Sequence, residues 1–320
     1  MDGAGVTKAE TATQRQRVWW APFALAIASA CWGVSVPLSK KAVDVLPPVT
    51  LLSMQLLVSI IVLWVAILLR PRKVALDYQP IARADLYKAC LSGLLQPGLT
   101  FMLVTLGLLL TSASEVVLLD AIEPILILAM AAVLLKERLS ALQYFCSLGA
   151  IVGAVLVILP QIGLSATSWP ALTGDALVLA GLCVAAFYVI LSRRLISAYD
   201  GLHLAAIQQS AALAFACVAL IIASLISVAS LPMAALNGDI IGIVILSGIL
   251  QFALPFWLYL QALRHMRAST TALFLPIIPL SGVVTAYFLL GEVLAPPQWI
   301  GAALIIGTVL VSSLLSDTPH

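Results

Sequence analysis

Ser92-Gly93-Leu94-Leu95-Gln96 returns 155 residues later as Ser247-Gly248-Ile249-Leu250-Gln251. The correspondence continues through Phe101 and Phe256, Ala113-Ser114 and Ala268-Ser269, Pro124 and Pro279, and Leu134-Leu135 and Leu289-Leu290. It ends on Glu137 and Glu292, then Gln143 and Gln298. Across residues 92–143 about 19 of 52 positions are identical, more than a Leu/Ala-rich composition supplies by chance. Near the start of each half the offset slips by two, where Leu38-Ser39-Lys40-Lys41 meets Leu191-Ser192-Arg193-Arg194. One structural unit is written twice.

Composition sets the solvent for that unit. Of 320 residues, 62% are hydrophobic and 9% charged, and mean hydropathy is +1.13. An ordinary globular domain carries about 25% charged residues. So little charge cannot cover a surface facing water, which excludes soluble enzymes, nucleic-acid binders and disordered scaffolds and leaves a lipid bilayer. Five cysteines lie scattered in apolar stretches with no C-x-x-C pair and read as small core residues, not a zinc site or disulfide framework.

Apolar runs near the ~20 residues a bilayer core requires predict an all-α integral membrane protein with ten transmembrane helices. They fall near Val18–Leu38, Val49–Leu69, Leu86–Leu110, Ser114–Leu135 and Leu142–Leu159 in the first half. In the second they fall near Gly174–Leu191, Leu204–Val228, Ile240–Leu263, Thr270–Leu290 and Gln298–Leu315. Arg15, Arg17 and Ala28-Ser29-Ala30 resemble a signal peptide, but the apolar run continues and nine more spans follow, so an uncleaved first helix is expected. Asp85, Asp175 and Asp239 read as N-caps of the spans they precede.

With the N-terminus in the cytoplasm, only Lys40 and Lys41 of the 16 basic residues fall outside. Basic residues resist translocation, so both termini are expected on the cytoplasmic side of an inner or plasma membrane. Residues 1–17 form a cytoplasmic tail, 18–160 the first five-helix repeat, 161–173 an extracytoplasmic linker, 174–315 the second repeat and 316–320 a cytoplasmic tail. Five spans per half is an odd number, so the two repeats are inverted relative to each other. The charges agree: Lys136-Glu137-Arg138 is cytoplasmic, while its counterpart Gly291-Glu292-Val293 has lost both bases and lies outside. Inverted repeats of this kind recur in secondary transporters, where exchange between the halves alternates access to a central site.

Halves that end in Leu-Leu-x-Glu-x-Leu-x-x-x-Gln, an early Trp32-Gly33, and Ala-Ser followed by Glu123-Pro124 resemble the EamA family of the drug/metabolite transporter superfamily. The resemblance covers roughly residues 20–315. It implies a ten-helix exporter of small metabolites, often amino acids, with some close relatives exporting aromatic amino acids. Two positions depart from the paired pattern: Phe187 stands at the repeat position of Trp32, and Ile278 at that of Glu123.

Gln96 and Gln251 occupy equivalent intramembrane positions, and an amide in hydrocarbon needs partners. They read either as facing walls of one substrate cavity or as interhelical glue. Asp120 and Glu123, three apart, share one face of the fourth span. Acids at that depth mark a pathway, a proton relay or an ion pair. They bind a substrate ammonium or a coupling proton, or else they pair with Lys40 or Lys41 or are simply held protonated. Glu115, nearer the outer surface, reads as solvated. Trp32, Phe187, Tyr188, Trp257 and Tyr259 lie deep enough to receive an apolar or aromatic side chain, with core packing as the other reading; Gln55, Gln208 and Gln209 are weaker candidates. Pro97, Pro124, Pro255, Pro276 and Pro279 lie within spans, where they free carbonyls and permit bends, as gates or as plain packing kinks.

Three function classes follow. The leading one is a secondary transporter of small amino-acid-like solutes, with the bilayer and possible protons as its other partners, no nucleic acid and no cofactor. The second is a permease subunit driven by a separate ATPase, since no Gly-x-x-x-x-Gly-Lys-Ser/Thr loop occurs in this chain. The third is an integral-membrane enzyme, disfavoured because no His-Glu-x-x-His or Gly-x-Ser-x-Gly appears. The inverted arrangement predicts that cysteines introduced in Lys136–Arg138 and in Gly291–Pro297 react with an impermeant reagent from opposite faces of the membrane. Labelling of both from one face would refute it.

Overall fold

A bilayer core offers backbone groups no water, so each segment must satisfy its own N–H and C=O groups, and an apolar chain winds into helices. In the computed structural model, residues 3–70, 81–134, 141–161, 168–225, 237–263, 274–275 and 277–315 are described, and every regular element among them is helical. Lys136–Arg138, Pro276, Arg264, Arg267 and the tail 316–320 lie outside the described residues.

The first half comprises α1 (Gly3–Val43), α2 (Pro48–Leu68), α3 (Arg83–Gly93), α4 (Thr100–Leu110), α5 (Ala113–Asp120), α6 (Glu123–Leu134) and α7 (Ala141–Ile158). The second comprises α8 (Trp169–Ala198), α9 (Gly201–Leu225), α10 (Gly238–Gly248), α11 (Leu254–Leu263), α12 (Ile277–Leu290) and α13 (Pro296–Leu315). Six stretches among the described residues are long and apolar enough to cross a membrane: Trp20–Val43, Pro48–Leu68, Asp85–Leu110, Trp169–Tyr188, Gly201–Leu225 and Gly238–Ala262. Leu148–Val157 and Ile277–Leu290 are shorter apolar helices.

Several boundaries differ from the sequence reading. Helix α1 runs without a break from Gly3, through the stretch read as a tail. Helix α8 begins at Trp169, inside the stretch read as a linker, with Pro170 in its first turn, where a missing N–H costs nothing. The aspartates are not N-caps. Ala82 and Asn237 hold the cap positions of α3 and α10, and the Asn237 side chain accepts from the Ile240 N–H at 2.9 Å. Asp85 and Asp239 sit three and two residues past those caps, in the first turn, where the helix dipole still favours an acid. Asp175 lies inside α8 and is buried.

The repeat is visible in the backbone. Between α3 and α4 the helix widens to i→i+5 bonding over Leu94–Leu99, and between α10 and α11 it does so over Ile249–Ala253. These two segments contain Gln96 and Gln251. The stretch read from the sequence as a fourth span is broken between α5 and α6 at Ala121–Ile122. There Pro124 has no N–H for the Asp120 carbonyl.

The halves interlock reciprocally. Helix α1 packs on α10, α11 and α12 of the second half, and α8 packs on α3, α4, α5 and α6 of the first. Helix α2 lies against α10, and α9 against α3. At these last two contacts a glycine lets backbones meet. A Cβ built on Gly93 would fall 2.1 Å from the Gln208 carbonyl oxygen, and one on Gly248 would fall 2.9 Å from that of Gln55. The neighbouring serines complete each contact: Gln208 donates to Ser92 Oγ at 3.0 Å, and Gln55 to Ser247 Oγ at 2.8 Å. The same glycine-serine-glutamine joint is thus made twice, with the halves exchanging roles.

Gly93→Ala forces main chain against main chain at this joint and should lower stability by about 1–3 kcal/mol. Gly242→Ala, with nothing within 4 Å of the added Cβ, should be neutral or stabilising by about 0.5–1 kcal/mol. Thermal unfolding of the purified chain in detergent separates the two.

Candidate functional site

Where the two widened turns face each other, a cavity of about 90 Å³ opens between the halves, room for a few waters or part of a small solute. Its lining follows the repeat. Gln96 and Gln251 both line it, as do Phe101 with Phe256, Val104 with Tyr259, Asp120 with Leu275, and Glu123 with Ile278, all pairs at the 155-residue offset. On the first helix of each half the offset is 153, and it pairs Trp32 with Ala185 and Ser35 with Tyr188, again all in the wall. The two halves therefore contribute the same positions with different chemistry. The first supplies the acids; the second supplies Tyr188, Tyr259 and the apolar groups opposite them.

Two kinds of backbone break shape this wall. Gln96 leaves helical geometry (φ −140°, ψ 123°), as the residue before a proline is pushed toward extended conformations. Its Oε1 is buried without a hydrogen-bond partner, as is Oγ1 of Thr100 one turn on. Pro255 withholds the N–H that a regular helix would send to the Gln251 carbonyl. The Trp32 indole donates there at 3.0 Å. Trp32 is held further by edge contacts to Phe256 and Tyr259, with ring centroids 5.6 and 5.4 Å apart. The Gln251 side chain accepts from Ser39 at 2.7 Å, and Gln55 donates to that same Ser39 at 3.0 Å. Tyr188 donates to Gln208 at 3.2 Å. Gln55 and Gln208 thus tie the cavity wall to the two interlocking joints, and Gln209, bonded to Ser59 and to the Phe252 carbonyl, is likewise interhelical glue.

Asp120 ends α5 and Glu123 begins α6, so both sit at the break. Among the described residues neither carboxylate has a hydrogen-bond or ion-pair partner. The pairing with Lys40 or Lys41 is not made: Lys40 donates to the Leu108 carbonyl at 2.9 Å and pairs with Asp44 at 3.4 Å, while Lys41 is exposed.

Three sequence assignments need correction. Phe187 is 42% exposed on the outside of the bundle. Its assignment used the 155-residue offset where 153 applies, and one residue along a helix turns a side chain about 100° from Tyr188. Trp257 is outside the lining for the same reason. Phe256 and Tyr259, three apart, face the cavity, and Trp257 packs half-buried against the neighbouring apolar core. Glu115 is not solvated: it is 2% exposed, bonded to Thr111 and Ser112 and accepting from Gln298 at 2.9 Å. Of the prolines, Pro97 lies in the first widened turn, Pro255 opens α11 just after the second, Pro124 is the second residue of α6 and Pro279 lies in the first turn of α12. Tyr259, a deep ring on the sequence reading, lines the cavity, as do Ser35, Phe101, Val104, Ala185 and Phe256, which sequence reasoning missed. The repeat was their signal, since Phe101 and Phe256 are among its identical positions.

The model of the EamA-like transporter family matches the chain twice, over residues 19–159 and 172–314. An uncharacterized transporter of Archaeoglobus fulgidus is 25% identical over 288 residues, which is 88% of this chain and 94% of that one. A protein of known crystal structure shares the fold at 18% identity with a TM-score of 0.62, over 91% of this chain and 96% of its own. The two matched segments each hold one copy of the widened turn and one wall of the cavity. With its apolar spans and this twofold match, the chain is an integral membrane protein of the EamA-like transporter family.

Proposed function

We propose that the chain is a secondary transporter that exports small amine-bearing metabolites, amino acids including aromatic ones among them, by alternating access to the central cavity. One observation carries the reading. Among the described residues, Asp120 and Glu123 present unpartnered carboxylates into a space that both repeats wall and that Trp32, Phe101, Phe256 and Tyr259 line with rings. An ammonium group satisfies such acids, and the rings accept an apolar or aromatic side chain and add cation–π attraction. The Gln96 and Gln251 amides supply hydrogen bonds to the polar end of the solute. Protons compete with the ammonium for the same two acids, which ties solute movement to a proton gradient.

The basic-residue pattern supports cytoplasmic termini, with α4–α5, α8 and the α12–α13 connection meeting at the outer face. The repeat supports an inverted relation between the halves. Opening then occurs at the proline-marked breaks around Pro97, Pro124, Pro255 and Pro279, where the helices already lack regular bonds. Export as the direction rests on the family resemblance.

Glu123→Gln and Asp120→Asn each remove one charge-assisted contact and should weaken solute binding about ten- to a hundredfold. Binding to the purified protein, measured across a panel of amines and amino acids, checks this; unchanged affinity in both variants would refute the ammonium site. In inverted vesicles, neutralising whichever of the two acids holds the coupling proton should also abolish the pH-gradient dependence. Trp32→Ala and Gln251→Ala should slow transport at normal expression, whereas Phe187→Leu, on the outside of the bundle, should leave the rate as it was.

A further inference from the structure

A second polar cluster lies apart from the central cavity, where the end of α4 and the start of α5 meet α8 and the α12–α13 connection. Thr111 Oγ1 lies within hydrogen-bond reach of Glu115 Oε2 and, at 2.9 Å, of Asp175 Oδ1. Glu115 and Asp175 are 2% and 1% exposed, and Asp175 Oδ2 is buried with no hydrogen-bond partner. A threonine hydroxyl has one hydrogen to give. It can donate to one of these carboxylates only, so the other contact requires a hydrogen carried by a carboxyl group. From this count we infer that Glu115 and Asp175, bridged by Thr111, form a binding site for a single shared proton at the seam between the two halves.

The surroundings make that proton a latch. Thr111 and Glu115 belong to the first half; Asp175, Glu292 and Gln298 belong to the second. Gln298 donates across the seam to Glu115 Oε1 at 2.9 Å. Glu292 accepts from the Ala113 and Ser114 N–H groups at 3.0 and 2.8 Å, closing the N-terminus of α5 from the opposite half. On α1, packed beside α5, Lys40 is engaged with the Leu108 carbonyl and Asp44. With the proton in place every contact at Thr111 is attractive. When it leaves to water at this end, two carboxylates face one hydroxyl hydrogen at hydrogen-bond distance, and the like charges push α8 from α5. Loss of the proton therefore loosens the seam at this end of the cavity, whatever the cavity carries.

Infrared difference spectra of the full chain in lipid nanodiscs test the site directly, because the central acids cancel between variants. Asp175→Asn and Glu115→Gln should each abolish the same protonated-carboxyl C=O band, since the remaining acid then accepts the Thr111 hydrogen. An unchanged band in either variant overturns the shared proton. The latch has its own readout in Ser114→Cys, whose thiol lies at the seam. Its reaction with an impermeant maleimide, read by mass spectrometry, is compared at each pH with that of the same thiol in a chain also carrying Asp175→Asn, which supplies a permanent hydrogen to Thr111; the ratio of the two rates cancels the thiolate's own rise with pH. That ratio should climb severalfold from acid to alkaline pH. A ratio that does not change with pH overturns the latch.

Discussion

A backbone carbonyl that leaves its helix inside a bilayer finds no water, so irregular chain survives there only where protein encloses it or a cavity bathes it. The candidate cavity is arranged around the few places where that constraint is locally relaxed. The widened turns at Leu94–Leu99 and Ile249–Ala253, and the break between Asp120 and Glu123, lie side by side around one cavity. Prolines create the vacancies, and at Pro255 a side chain from the opposite half fills one. The indole of Trp32 on the Gln251 carbonyl is the clearest case.

The second consequence is that polar groups become joints. Lipid gives helices no hydrophobic reason to associate, so close backbone approach and interhelical hydrogen bonds hold them. The Gly93–Gln208–Ser92 and Gly248–Gln55–Ser247 contacts combine both and occur once per half. Each is wired to the cavity, through Tyr188 in one case and through Ser39 and Gln251 in the other. On the proposed reading, a solute that moves either wall would act directly on a contact between the halves.

Divergence within the repeat gives the site its chemistry. Equivalent positions hold Asp120 and Leu275, Glu123 and Ile278, Val104 and Tyr259, and Trp32 and Ala185. An exchange of conformation between the halves needs matching scaffolds, and the glutamines and phenylalanines kept at matching positions supply them. Binding one oriented solute needs unlike walls, and the acids on one side with tyrosines on the other provide that.

The sequence by itself determined the solvent, the helical class and the doubling of the chain, because hydropathy, basic-residue placement and self-similarity are properties of the linear order. It also singled out Trp32, Gln96, Asp120, Glu123, Tyr188 and Gln251, since polar or large aromatic groups deep in an apolar span have few places to face. Only the tertiary structure separated Tyr188 from Phe187 and Phe256 from Trp257: neighbours on a helix differ by a rotation, and the direction of the core is set by the packing of other helices. It alone placed Glu115 beside Asp175. Those two acids lie 60 positions apart in the chain, and burial of one against the other follows from how α5 meets α8, which no local pattern encodes.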